Sequence, residues 1–235
     1  MKYKLLGTVM PTVNIELKKG EKVFSQTGGM SWMSNNLDMD TGIRGGFWRG
    51  IKRLFSGESF FLTNFSCIAG TGIITFSSEY PGKIIPVQIN KGKEYICQKD
   101  AFLCAENGVN LDVHFRARVA RGLFGGEGFV LQKLSGKGTA FVNFGGEVVE
   151  LNLKKGQEIK IDTGHVAMYE PSVDYDVAVI RGIKNIIFGS EGLFFATLKG
   201  PGKVWLQSMP VRKLAARLVG RRGKGNFIWN LLFGR

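Results

Sequence analysis

Histidine is nearly missing from this chain: His114 and His165 are the two in 235 residues. A metal-holding β barrel of the cupin kind draws on several histidines and a carboxylate. Asp112-x-His114 is the nearest thing to a ligand pair, and the two histidines fall at unmatched positions of the repeat described below. Both therefore read as surface or hydrogen-bonded residues, and no metal or cofactor is expected. Cysteine is scarce as well. Cys67, Cys97 and Cys104 form no C-x-x-C pair, which argues against a disulfide framework and a zinc knuckle and points to a reducing compartment. Met1–Gly20 has no apolar h-region, so no secretory signal is expected and the protein reads as cytoplasmic. There is no G-x-x-x-x-G-K-[ST] loop, no G-x-S-x-G elbow and no kinase set. The uncharged stretch 59–76 is diluted by Ser59, Thr63, Asn64, Ser66 and Gly70-Thr71-Gly72. It reads as buried strands and not as a membrane span.

Glycine is abundant, at 33 residues against six prolines, the balance of many tight turns between short strands. The turns are ordered. Val13-Asn-Ile15-Glu-Leu17-Lys-Lys-Gly20, Ile85-Pro-Val87-Gln-Ile89-Asn-Lys-Gly92 and Val149-Glu-Leu151-Asn-Leu153-Lys-Lys-Gly156 share one form. Each is a half-buried strand running into a turn whose glycine is predicted to take positive φ. Twenty residues after each glycine comes Asp40, Asp112 or Asp176. Glu58, Glu127 and Glu191 each follow a Phe-x-x tripeptide, and Gly70/Gly72, Gly136/Gly138 and Gly200/Gly202 close the pattern.

Three units follow, at about 13–84, 85–148 and 149–210. The expected fold is all-β: three β-sandwich or short double-stranded β-helix units in a pseudo-threefold arrangement, with a short C-terminal helix. Residues 1–210 form one β domain and 211–235 a basic amphipathic tail. The repeated carboxylates are expected to serve turns and loops, because repetition makes environments alike whereas acid–base pairs need unequal ones. The chain is therefore read as a non-enzyme.

The triplicated layout, Gly57-Glu58-Ser59-Phe60-Phe61 and the Gly-x-Gly turns resemble a family of bacterial and mitochondrial proteins labelled for mitochondrial biogenesis. The resemblance covers about residues 5–215. It implies a fold similar to the tryptophan RNA-binding attenuator protein, a shortened double-stranded β-helix, and carries no catalytic residues. A shared fold does not transfer RNA binding.

Charge is the remaining signal. Of the net +13, residues 211–235 supply seven and residues 41–57 supply four, leaving +2 for the rest. In the first segment Phe47, Ile51, Leu54 and Phe55 line one helical face beside Trp48, among Arg49, Lys52 and Arg53. In the second, Val211, Leu214, Ala215, Leu218 and Val219 lie opposite Arg212, Lys213 and Arg217. A glycine-rich hinge with Arg221, Arg222 and Lys224 then leads to Trp229. Packing on the β body is one reading of these faces. The other is docking on an anionic membrane surface or a protein partner, with nucleic acid as the alternative. The expected protein is a scaffold or binding module, peripheral to a membrane in the first case, and a homo-oligomer; an enzyme with a β-barrel pocket ranks third, since no convergent set of catalytic groups is visible.

Overall fold

A computed structural model describes residues 1–26, 28–42, 62–117, 129–179, 194–211 and 213–215. These residues are all-β, as expected, with two single 3-10 turns. After β1 (Lys2–Leu6) come three stretches of six strands. The first holds β2 (Thr12–Lys18), β3 (Lys22–Gln26), β4 (Met30–Met33), β5 (Leu37–Gly42), β6 (Leu62–Cys67) and β7 (Thr71–Ser77). The second holds β8 (Gly82–Ile89), β9 (Tyr95–Gln98), β10 (Phe102–Glu106), β11 (Val109–Ala117), β12 (Phe129–Gly136) and β13 (Gly138–Gly145). The third holds β14 (Val148–Leu153), β15 (Glu158–Asp162), β16 (Val166–Tyr169), β17 (Asp174–Val179), β18 (Phe194–Lys199) and β19 (Gly202–Gln207).

Each stretch makes the same antiparallel pairings. Its first and third strands flank its sixth, as in β2–β7 and β4–β7, and its second and fourth flank its fifth, as in β3–β6 and β5–β6. The third strand carries a bulge at the matching point every time, before Trp32, Cys104 and Met168. Gly20, Gly92 and Gly156 have φ of +87°, +84° and +80°. An added Cβ would meet nothing within 4 Å at any of them. The turn therefore requires glycine for its backbone conformation and not for space.

Stretches are joined by sheets that cross their boundaries. β3 pairs with β10, and β9 pairs with β16. The result is four sheets: β1-β2-β7-β4, β5-β6-β3-β10-β13-β8, β11-β12-β9-β16-β19-β14 and β15-β18-β17. Three apolar cores lie between successive sheets. Ile15, Ile74 and Phe76 of the first sheet meet Phe65 and Phe141 of the second. Phe24 and Phe144 of the second meet Leu134 and Trp205 of the third. Leu131 and Tyr169 of the third meet Ala196 and Leu198 of the fourth. The two middle sheets are thus buried on both faces, which is why β13 (GTAFVNFG) reads apolar almost throughout. The two end sheets bury one face each, and β2 alternates accordingly.

The sheet order is open. A closed threefold arrangement would also set β15 against β4, and that pairing is absent among the described residues. Past β19 the chain turns helical at Val211 and 213–215, where the Lys213 and Leu214 N–H groups donate to the Pro210 carbonyl at 3.0 and 3.2 Å.

Candidate functional site

The sequence places its basic and aromatic residues on the β5–β6 connection and on the tail. Phe47, Trp48, Arg49, Lys52, Arg53, Arg212, Arg217, Arg221, Arg222, Lys224 and Trp229 lie outside the described residues. So do Glu58, Glu127 and Glu191. The described chain gives their roots. β5 and β6 pair up to Gly42 and Leu62, β11 and β12 up to Ala117 and Phe129, β17 and β18 up to Val179 and Phe194. The three long connections therefore leave from matching hairpins.

Lys213 is described, and it is engaged. Its Nζ lies 2.9 Å from Asp162 Oδ2 and 3.5 Å from His165 Nε2. Burial pushes the Asp162 carboxyl up, but the hydrogen bonds from Lys213 and the Gly164 N–H and the nearby positive charge outweigh it. The net shift is downward. His165 Nδ1 bonds the Gln207 carbonyl at 2.8 Å. The buried Gln207 amide in turn accepts from the Gly145 N–H and donates to Gln98 Oε1 and the Gly164 carbonyl. The root of the tail is thus tied to the second, third and fourth sheets. Lys213 holds the root of the tail to the body.

The other chemical candidates are occupied. All three thiols are buried. Burial pushes Cys97 up to about 12 and Cys104 well above its ordinary range, so neither forms a thiolate near neutral pH. Among the described residues no cluster of His, Cys, Asp and Glu has the makings of a metal site. His114 is held below the ordinary imidazole range, first by desolvation and then by Lys133. Asp40, Asp112 and Asp176 lie exposed on β5, β11 and β17, opposite Asn64, Lys133 and Thr197. They sit on strands, where loops had been expected. A cleft of roughly 340 Å³ is lined by Leu17, Glu21, Lys22, Glu106 and Lys137. Its two carboxylates accept backbone N–H groups, Glu21 from Lys18 and Glu106 from Thr139.

That Glu106 bond belongs to a set. Glu170 accepts from the Lys203 N–H at 2.9 Å, and the Ser34 hydroxyl from the Ile73 N–H at 3.0 Å. Each acceptor pins the residue that follows the second glycine of a Gly-x-Gly turn, at the start of β7, β13 and β19.

Residues 3–209 match the family described as mitochondrial biogenesis AIM24. The chain belongs to the AIM24 family. It is 28% identical over 216 residues to an uncharacterized protein of Streptococcus pyogenes serotype M6, spanning 88% of this chain and 85% of that protein. The X-ray crystal structure of a Streptococcus pyogenes protein matches it with a TM-score of 0.76 at 26% identity, over 94% of this chain and 99% of that one. This AIM24-family chain thus shares its fold with that Streptococcus pyogenes protein. No helix among the described residues is long and apolar enough to cross a membrane.

Proposed function

We propose that this AIM24-family chain is a non-enzymatic scaffold, three copies of one β unit that present basic, aromatic segments to an anionic membrane surface. The observation that carries the reading is the separation of charge from body. Carboxylates of the body are tied to backbone N–H groups at Glu106, Glu170 and Asp162. The excess of positive charge lies in residues 41–57 and 211–235, which also hold Trp48 and Trp229. Each Lys or Arg close to an anionic leaflet contributes about 1 kcal/mol, and the attraction decays within a Debye length. Co-sedimentation of the full chain with phosphatidylserine vesicles, set against phosphatidylcholine vesicles, tests it. Binding to the anionic vesicles alone, weakening with salt, is the expected result. Equal partition onto both, or onto neither, overturns it. Salt-dependent binding to single-stranded RNA with no vesicle binding would select the nucleic-acid alternative.

A further inference from the structure

We infer that the tip of the β1–β2 hairpin, residues 5–10, is an apolar wedge that enters an anionic bilayer. The inference rests on the docking proposal and adds the part of the β body that meets the lipid. Leu5, Leu6, Val9 and Met10 are all exposed, Val9 at 63% and Met10 at 46%. One exposed aliphatic side chain is ordinary, but four within six residues form a patch that a partner covers. The backbone beneath them is fixed. Gly7 turns the chain at a φ of +85°, and Pro11 is buried. The Val9 carbonyl accepts from the Gly82 N–H at 2.9 Å, and the Pro11 carbonyl from the Ser78 N–H at 2.8 Å. Little ordering is therefore left to be lost on binding.

Cations stand behind the tip. Lys2 and Lys4 are exposed on β1 and share one face with Leu6, opposite Glu16, Asn14 and Thr12 of β2. Apolar side chains at the tip and lysines one strand-length back suit a leaflet. The tip reaches the acyl boundary while the ammonium groups stay among the headgroups.

The occupant follows from what else leaves this rim. β2 starts at Thr12 and runs to the turn at Gly20. β3 returns and ends at Gln26, level with Leu62, which pairs with Gly42. Segment 43–61 is therefore rooted on the rim that carries the hairpin tip. Backbone bonds also step from the tip to the root of the tail. Gly82 donates to Val9, Gly146 to Pro81, Met209 to Gly145 and Lys213 to Pro210, all at 2.9–3.0 Å. Residues 41–57 and 211–235, which hold seven and four of the net +13 between them in the order tail and connection, thus start beside the wedge. Glu147 on the same rim is met by Lys83 at 3.2 Å. The opposite rim carries Lys18, Lys19, Lys154 and Lys155 at its turns, without a comparable apolar tip among the described residues. Lysines alone hold an anionic surface, and insertion needs the apolar tip as well.

The test uses Val9→Cys and, on the opposite rim, Lys155→Cys in the full chain. Each gives one reactive thiol, because the three native cysteines are buried. With an environment-sensitive fluorophore attached and phosphatidylserine vesicles added, the Val9 probe should shift to the blue and the Lys155 probe should not change. Val9→Ser combined with Met10→Ser should melt with wild type, since both side chains are exposed. It should bind the vesicles roughly tenfold more weakly. Protein that sediments with the vesicles while the Val9 probe stays in water, or while the Lys155 probe shifts instead, overturns this inference and leaves the docking proposal standing. Protein that does not sediment with them overturns both. A blue shift of the Val9 probe that grows with protein concentration in the absence of vesicles would show a second copy covering the tip, and would overturn the wedge.

Discussion

The Gln207 amide donates to Gln98 Oε1 at 3.1 Å, passing over β16 to join β19 to β9. The same amide donates to the Gly164 carbonyl at 2.9 Å, and its oxygen accepts from the Gly145 N–H at the same distance. One buried side chain thereby holds the second sheet, the third sheet and the turn before β16. Gln207→Leu keeps the volume and orphans the Gly145 N–H and Gln98 Oε1, while the Gly164 carbonyl keeps its bond from Gln98 Nε2. Each buried polar group left unpaired costs about 1–3 kcal/mol. Thermal unfolding should fall by roughly 5–10 °C, since about 1 kcal/mol corresponds to 2–4 °C in a chain of this size. A melting temperature within a degree of wild type would mean that water replaces the amide.

The thiols test the depth of the cores. Cys67, Cys97 and Cys104 are all buried, and Cys97 is pushed up to about 12 by burial alone. A thiol reagent at neutral pH should label none of them in the native protein and all three in denaturant. Rapid native labelling of Cys104 would mean that the sheets around the first core separate readily, and of Cys97 those around the second.

The turn glycines are the part of the fold most legible in the sequence. Gly20, Gly92 and Gly156 occupy matching turns with positive φ because the local pattern, apolar alternation broken by a basic residue and glycine, dictates that geometry without help from distant residues. Replacing any of them with Ala should cost about 1–2 kcal/mol by forcing a side chain into the left-handed region, and Asn should cost less. Equal losses for Ala and Asn, measured by denaturant unfolding, would show that space and not backbone conformation sets the requirement.

Other features were hidden for physical reasons. Ser34, Glu106 and Glu170 do the same work fourteen residues after the three turn glycines. Chemical identity hides them, since a hydroxyl in one copy replaces a carboxylate in two, although the spacing alone would have found them. The open sheet order was hidden more deeply. Alternation says which face of β15 is buried but not which strand lies at its edge, because β3 and β9 carry similar patterns and differ only in having a neighbour. The contact of Lys213 with Asp162 was hidden for a related reason. Within a run of basic residues nothing local singles out the one that folds back on Asp162.

The Asp162–Lys213 contact predicts a pH dependence. The Asp162 carboxyl is lowered in the folded chain, so the unfolded chain takes up its proton first as pH falls. The stabilisation is therefore complete above the ordinary carboxylate pKa of about 4 and lost on acidification through the lower folded value. Asp162→Asn should melt a few degrees below wild type at neutral pH, and the gap should close in acid. A gap that persists unchanged at low pH would assign the effect to packing around Gly164 and not to charge.

Two truncations separate the root of the tail from its reach. A chain ending at Ala215 keeps Lys213 on Asp162 and the two bonds to the Pro210 carbonyl. A chain ending at Pro210 loses all three. The three six-strand stretches end at Gln207, so both truncations leave every sheet whole. The shorter chain should melt about 2–4 °C lower, the effect of one partly buried ion pair worth roughly 1 kcal/mol. The longer should match the full chain. Binding to phosphatidylserine vesicles should divide them differently. Five cations, Arg217, Arg221, Arg222, Lys224 and Arg235, lie beyond Ala215, together with Phe227, Trp229 and Phe233. Even with half of those charges near the leaflet, their loss removes about 2–3 kcal/mol, a drop in affinity of roughly 30- to 150-fold. The chain ending at Pro210, which also lacks Arg212 and Lys213, should show at least that drop. Binding that survives to Pro210 would move the docking surface to Phe47, Trp48, Arg49, Lys52 and Arg53. Binding that falls only on removing Lys213 would show that the cation tied to Asp162 in the free chain is released to the membrane.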